Sequence, residues 1–143
     1  MPAAPTRSDW LFLCVANSAR SQMAEGWARV LAPRGRRVHS AGSAPGTLNP
    51  YAVRAMAEVG IDIAAQYSKP IEAVPQERIR TVVTLCAEEV CPFYPGDVER
   101  LHWPFDDPAA TLGDDAAILA SFCRVRDGIE HELRAAFGRE DGD

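Results

Sequence analysis

The sequence predicts an α/β fold: a single-domain, four-stranded parallel sheet with helices on both faces. Three observations predict it. Two continuous apolar runs, "WLFLCV" and "IRTVVTLC", have the length and composition of strands buried on both faces. Segments of helical spacing alternate with strands, which implies parallel crossover connections. Both runs also lead into a cysteine, and ligands of such sheets sit beyond the carboxyl ends of the strands.

The elements follow in order. Trp10–Val15 is the first strand, with no charged side chain to place in solvent. After a loop, "SQMAEGWARVLA" sets Met23, Trp27, Val30 and Leu31 at helical spacing, and Pro33 stops the helix. "RRVHSAG" reads as a second strand closing on glycine. "NPYAVRAMAEVG" reads as a helix with Pro50 in its first turn and Gly60 as its stop. Ile79–Cys86 is the second deeply buried strand, followed by the loop "CPFYPGD", the short strand "RLHW" and the loop "PFDDPA". The last element, Asp114 to Phe137, carries Ile118, Phe122, Val125, Ile129 and Leu133 on one helical face that packs on the sheet. Met23 and Met56 read as core filler. The domain is expected over residues 10–138, between flexible tails at 1–9 and 139–143.

A chain of 143 residues is long enough for one well-buried core. The formal net charge of -5 argues against a broad nucleic-acid surface, which needs a clustered basic excess. The one basic knot, Arg34, Arg36 and Arg37 around Gly35, follows a helix, where cations complement the dipole. No apolar stretch approaches the roughly 20 residues that span a bilayer. "MPAAPTRSD" lacks the apolar centre of a secretory signal. A cytoplasmic monomer without nucleic-acid or membrane partners is expected. Its four cysteines, Cys14, Cys86, Cys91 and Cys123, are then expected to be reduced at rest and catalytic, metal-binding or core thiols.

Between Cys14 and Arg20 the side chains are small or carry an amide: Val15, Ala16, Asn17, Ser18 and Ala19. A strand-to-helix turn of such residues exposes successive backbone N–H groups, and the helix N-terminus adds the positive end of its dipole. The stretch from Cys14 to Ser21 therefore suits a tetrahedral oxyanion, with Arg20 supplying a planar fork of donors. An electropositive site favours the thiolate, the nucleophilic form of cysteine. One loop would then hold the anion and aim a soft nucleophile at its central atom. Ser21 either donates to that thiolate or caps the helix. The plain alternative is a strand-end cysteine beside a capped helix. In a parallel sheet, Cys14, Cys86 and the Asp106–Asp107 pair converge on one rim.

The segment "LFLCVANSARSQMAEGWAR" resembles the active-site segment of the low-molecular-weight protein tyrosine phosphatase superfamily. Within it, "HSAGSAPGTLNPYAVRAMAEVGIDI", "TVVTLCAEEVCP", "HWPFDDPA" and "FCRVRDGIEHEL" resemble the thioredoxin-coupled arsenate reductases. The resemblance runs from Trp10 to Phe137 and implies a low-molecular-weight phosphatase-like fold. It also implies reduction of arsenate to arsenite in arsenic detoxification. In the implied relay Cys14 attacks arsenate while Asp107 protonates the departing oxygen. Cys86 attacks Cys14, arsenite leaves, and Cys91 attacks Cys86 to leave a Cys86–Cys91 disulfide. An external dithiol restores the thiols by exchange; thioredoxin is implied, with glutaredoxin or a small thiol as alternatives. Phosphate and sulfate are the expected competitors, and no metal or tightly bound cofactor is implied. Asp107 is preferred to Asp106 because it directly precedes Pro108, the family's Asp-Pro position. On chemistry alone either carboxylate would serve as a solvated or capping group.

The rival within the family is a low-molecular-weight protein tyrosine phosphatase using Cys14, Arg20 and Asp107. A phosphatase has no use for further thiols, whereas a thiol pair supplies the two electrons that reduction requires. Cys86 and Cys91 close a loop able to reach the Cα separation of about 4.4–6.8 Å found in disulfides. Ala109 and Ala110 stand where phosphatases carry aromatic residues for an aryl ester. A zinc site of Cys86, Cys91 and His102 lacks a fourth ligand. A redox-sensing binding module is the alternative outside enzymes. Some family members hold potassium with an Asn, a Glu, a Ser and an Asp; the first three match Asn17, Glu25 and Ser40. The Asp position is Lys69, whose ammonium is expected to replace the cation. Pro92, Pro95 and Gly96 suit a segment that rearranges. Cys123 is expected as a buried core thiol, and His39, His102 and His131 receive no role.

Overall fold

Strand β1 (Asp9–Cys14) is buried along its whole length because parallel neighbours flank it on both sides in the computed structural model, which describes residues 7–87 and 91–141. The order along the chain is β1, α1 (Arg20–Leu31), β2 (Val38–Gly42), α2 (Pro50–Ala57), β3 (Ile79–Cys86), β4 (Glu99–Phe105) and α3 (Asp115–Asp141). The sheet runs β2-β1-β3-β4, all parallel, so every strand delivers its C-terminal end to the same rim.

Side chains alternate across β1. Trp10 and Phe12 join Met23 and Trp27 of α1, Met56 of α2, and Phe122, Ile129 and Leu133 of α3. Leu11 and Leu13 join Ala41, Val74, Val82 and Tyr94 on the other face. Phe12, Phe122 and Leu133 are fully buried, each contributing about 1.5–3 kcal/mol of transfer free energy. The helices expected on both faces are unequal. Among the described residues three α-helices share one face, and the 3-10 turn Ile71–Ala73 helps close the other. Pro70 and Pro75 bracket that turn and prevent a longer helix there.

Helix α2 starts as expected: Asn49 accepts from Tyr51 N at 2.8 Å and Pro50 occupies the first turn. Asp9, which falls in the segment expected as the N-terminal tail, belongs to β1, where its buried carboxylate meets His39 Nε2 at 2.8 Å. Helix α3 continues past Phe137 to Asp141, through part of the segment expected as the C-terminal tail. Residues 1–6 and 142–143 of those tails, and 88–90 between Cys86 and Cys91, lie outside the described residues. Strand β4 extends beyond "RLHW" through Pro104, which an edge strand tolerates. Its register slips by one residue, from Thr84↔His102 to Cys86↔Phe105, so β4 carries a bulge at Trp103–Pro104.

Candidate active site

Cys14 ends β1 and Arg20 begins α1, so the intervening loop covers the rim of the central strand. Ala19 at the N-cap offers no side-chain acceptor, and the first turn of α1 holds no acidic residue. The first-turn amides of α1 thus have no side-chain cap, an arrangement that suits an anion. Together with Asp107, the loop residues Cys14, Val15, Ala16, Ser18, Ala19 and Arg20 line a cavity of about 220 Å³. That is smaller than the roughly 300–1,000 Å³ of pockets for drug-sized ligands and suits a small anion.

Ser21 contacts the thiol and does not cap α1. Its Oγ lies 2.8 Å from Cys14 Sγ and accepts from Asn17 Nδ2 at 2.8 Å. Against a thiolate, which has no proton, only the Ser21 hydroxyl can donate.

Asn17 takes the left-handed conformation, with φ 49°, which disfavours most L-residues by about 1–2 kcal/mol. Its surroundings over-determine it. Lys69 N donates to its Oδ1 at 2.9 Å, and Gln22 Nε2 and Ser68 Oγ donate to its carbonyl at 2.9 and 2.6 Å. Gln66 Nε2 in turn donates to Gln22 Oε1 at 2.8 Å. Gly42 closes the floor: a Cβ there would lie 2.3 Å from the Val15 carbonyl and 2.9 Å from Asn17 N. Sequence reasoning missed Gln22, Gln66 and Ser68, which carry no motif. Gly42 had one faint signal, a glycine at a strand end.

Asp107 reaches the cavity of Cys14 and Arg20, while Asp106 does not line it. Asp107 Oδ1 also accepts from Ala109 N at 3.0 Å, capping the short turn Pro108–Ala110. Arg20 Nη1 donates to the Phe105 carbonyl at 2.9 Å, joining the loop after Cys14 to the segment that carries Asp107.

Behind the loop, buried Glu25 accepts from Ser40 Oγ at 2.6 Å, and Lys69 Nζ stands 3.6 Å from the same carboxylate oxygen. Arg29 pairs with the other oxygen. Lys69 also donates to the Tyr67 carbonyl at 3.2 Å and lies over the Tyr67 ring. The four positions Asn17, Glu25, Ser40 and Lys69 therefore form one contiguous group.

Cys86 and Cys91 are joined by a disulfide with a Cα separation of 5.5 Å, while Cys14 is a free thiol. Cys86 is buried and Cys91 is half-buried, lining a groove with Phe93, Tyr94 and His102. Arg100 latches the segment after Cys91 by donating to the carbonyls of Tyr94 and Gly96 at 2.7 and 2.9 Å. His102 Nδ1 meets Thr84 Oγ1 at 2.7 Å. Among the described residues, no cluster of three or more His, Cys, Asp or Glu side chains is placed to hold a metal. Cys123, expected as a buried core thiol, packs against the core but is not fully buried. It is half-buried between Glu58 Oε1 at 3.5 Å and Arg126 Nη1 at 3.4 Å. Burial pushes its thiol up from the ordinary range.

A parallel sheet whose rim carries a free cysteine, an uncapped helix start and an arginine defines a protein of the phosphatase-like class. The chain belongs to the low molecular weight phosphotyrosine protein phosphatase family, whose profile matches residues 9–140. Its relatives include an arsenate reductase of Bacillus subtilis, 49% identical over 125 residues, 86% of this chain and 90% of the relative. An arsenate reductase of Halalkalibacterium halodurans is 47% identical over the same shares. A solved structure of an arsenate reductase in the phosphate binding state is 32% identical, with a TM-score of 0.78 over 92% of this chain and 98% of that one.

Proposed function

We propose that this chain reduces arsenate to arsenite by a relay through Cys14, Cys86 and Cys91. The observation that carries the reading is the Cys86–Cys91 disulfide at the end of β3, beside the strand that ends in free Cys14. Cys14 Sγ attacks the arsenic of arsenate held by the loop amides and Arg20, and forms a sulfur–arsenic bond. Asp107 gives a proton to the departing oxygen, which leaves as water. Cys86 attacks Cys14 Sγ, the sulfur–arsenic bond breaks, and its electron pair stays on arsenic, giving arsenite and a Cys14–Cys86 disulfide. Cys91 attacks Cys86 and releases the Cys14 thiolate. A Cys86–Cys91 disulfide with a free Cys14 is the state reached at that point.

An external dithiol then reduces the pair, becoming a disulfide itself. With Cys86 buried and Cys91 on the groove, the incoming thiolate meets Cys91 first. Thioredoxin is the reductant of this reading; a solved relative is a thioredoxin-dependent arsenate reductase of Corynebacterium glutamicum. The Lys69 ammonium beside Glu25 takes the place of potassium. In this reading the chain works as a cytoplasmic monomer.

The test is steady-state arsenate reduction with a thioredoxin system, in the wild type and in Cys14→Ser, Cys86→Ser and Cys91→Ser. All three variants should lose multiple turnover. Undiminished turnover in Cys91→Ser would exclude the three-thiol relay in favour of glutaredoxin or a small thiol. Hydrolysis of an aryl phosphate faster than arsenate reduction would favour the phosphatase reading.

A further inference from the structure

The backbone of Phe105 meets three parts of the site. Its carbonyl accepts from Arg20 Nη1 at 2.9 Å. In the sheet it stands opposite Cys86, a pairing reached only after the one-residue bulge at Trp103–Pro104. Two residues later comes Asp107, on the cavity of Cys14. The Phe105 ring is seated on α3, where a Cβ at Gly128 would lie 2.6 Å from Cε1 and 3.3 Å from Cζ. Phe105 also borders a cavity of about 440 Å³ that reaches Ser121 and Val125 of α3. A methyl group at position 128 would therefore force the ring to shift, and with it the end of β4.

We propose that Phe105, seated on Gly128, is a positioning residue for the oxyanion site. A guanidinium matches two oxygens of an anion only when its plane is fixed. The Phe105 carbonyl, a neutral acceptor, holds the Nη1 end of that plane. The same backbone sets Asp107 at the cavity, so one side chain on α3 governs both the anion fork and the acid. The inference rests on the Cys14–Ser21 loop being an oxyanion cradle.

The test is a double-mutant cycle read by calorimetric titration with inorganic phosphate, using the reduced wild type, Gly128→Ala, Phe105→Leu and the double variant, each with its Tm. Gly128→Ala should bind phosphate roughly tenfold more weakly, about 1.4 kcal/mol. Phe105→Leu, which keeps the carbonyl but unseats the ring, should also bind more weakly. The double variant, in which the shorter side chain makes room for the methyl, should recover most of the lost affinity. Wild-type affinity in Gly128→Ala, or in Phe105→Leu should Gly128→Ala not fold, overturns the proposal. A double variant that regains Tm without regaining phosphate affinity overturns it as well. A wild type that binds neither phosphate nor arsenate overturns the cradle reading itself.

Discussion

Lys69 holds its ammonium 3.6 Å from the Glu25 oxygen that also accepts from Ser40, and its side chain is only 13% exposed. On the proposed reading this ammonium stands in for a mobile cation. Thermal unfolding should therefore give the same Tm in potassium chloride and in sodium chloride of equal ionic strength. Lys69→Asp should acquire potassium-specific stabilisation, about 2.7 kcal/mol at a hundred times its Kd. A large potassium-specific rise in the wild type would refute the substitution of lysine for the ion.

The contact of Ser21 Oγ with Cys14 Sγ sets the second expectation. Hydrogen bonds to charged groups contribute about 1.5–3 kcal/mol, so Ser21→Ala should lower kcat/KM for arsenate roughly ten- to hundredfold. A variant with unaltered kcat/KM would reduce Ser21 to a packing residue.

The relay makes a third claim. After one turnover with arsenate, Cys91→Ser should accumulate a Cys14–Cys86 disulfide, visible as a linked peptide pair by mass spectrometry. Cys123, held between Glu58 and Arg126 and outside the relay, should be replaceable by Ser with turnover retained. Recovery of only reduced Cys14 from Cys91→Ser would break the proposed order of attack.

The fourth concerns acid stability. Asp115 at the start of α3 accepts from Arg54 at 3.0 and 3.2 Å and from the Tyr51 hydroxyl at 2.9 Å, tying α3 to α2. The Arg54 guanidinium, and then the Tyr51 hydroxyl, hold its carboxyl below the ordinary range. A depressed folded pKa gives stability that is complete above the unfolded value of about 3.9 and lost as the pH falls through the folded one. Asp115→Asn should therefore lower Tm near neutral pH, with the two proteins converging in acid. High salt should shrink the difference, because the group is exposed. A Tm gap that persists unchanged into strong acid would show that charge is not its source.

Much of the fold was legible because burial leaves a mark on sequence. Ile79–Cys86 reads as a strand with its observed ends, since a strand flanked on both sides needs apolar residues on both faces. Phe122, Ile129 and Leu133 mark the buried stripe of α3 for the same reason. The distribution of helices was not legible. An amphipathic helix announces an apolar face but not which side of the sheet it covers, and β1 is apolar on both. Cys123 follows Phe122 on the same helix and packs against the core, yet the turn of the backbone leaves it half-buried, with its sulfur beside Glu58 and Arg126.

The site divides in the same way. Parallel topology alone brings Cys14, Cys86 and Asp107 toward one rim, and the small side chains between Cys14 and Arg20 leave amides open to an anion. Those properties are local and survive in a linear string of residues. Tertiary structure decided the rest: Ser68 and Lys69 bonding to Asn17 from across the chain, Gly42 under the loop, and Phe105 between Arg20 and Gly128. Such contacts join residues distant in sequence through hydrogen bonds and close approach. Neither leaves a periodic pattern, so only the folded chain reveals which carbonyl holds the arginine and which glycine makes room for it.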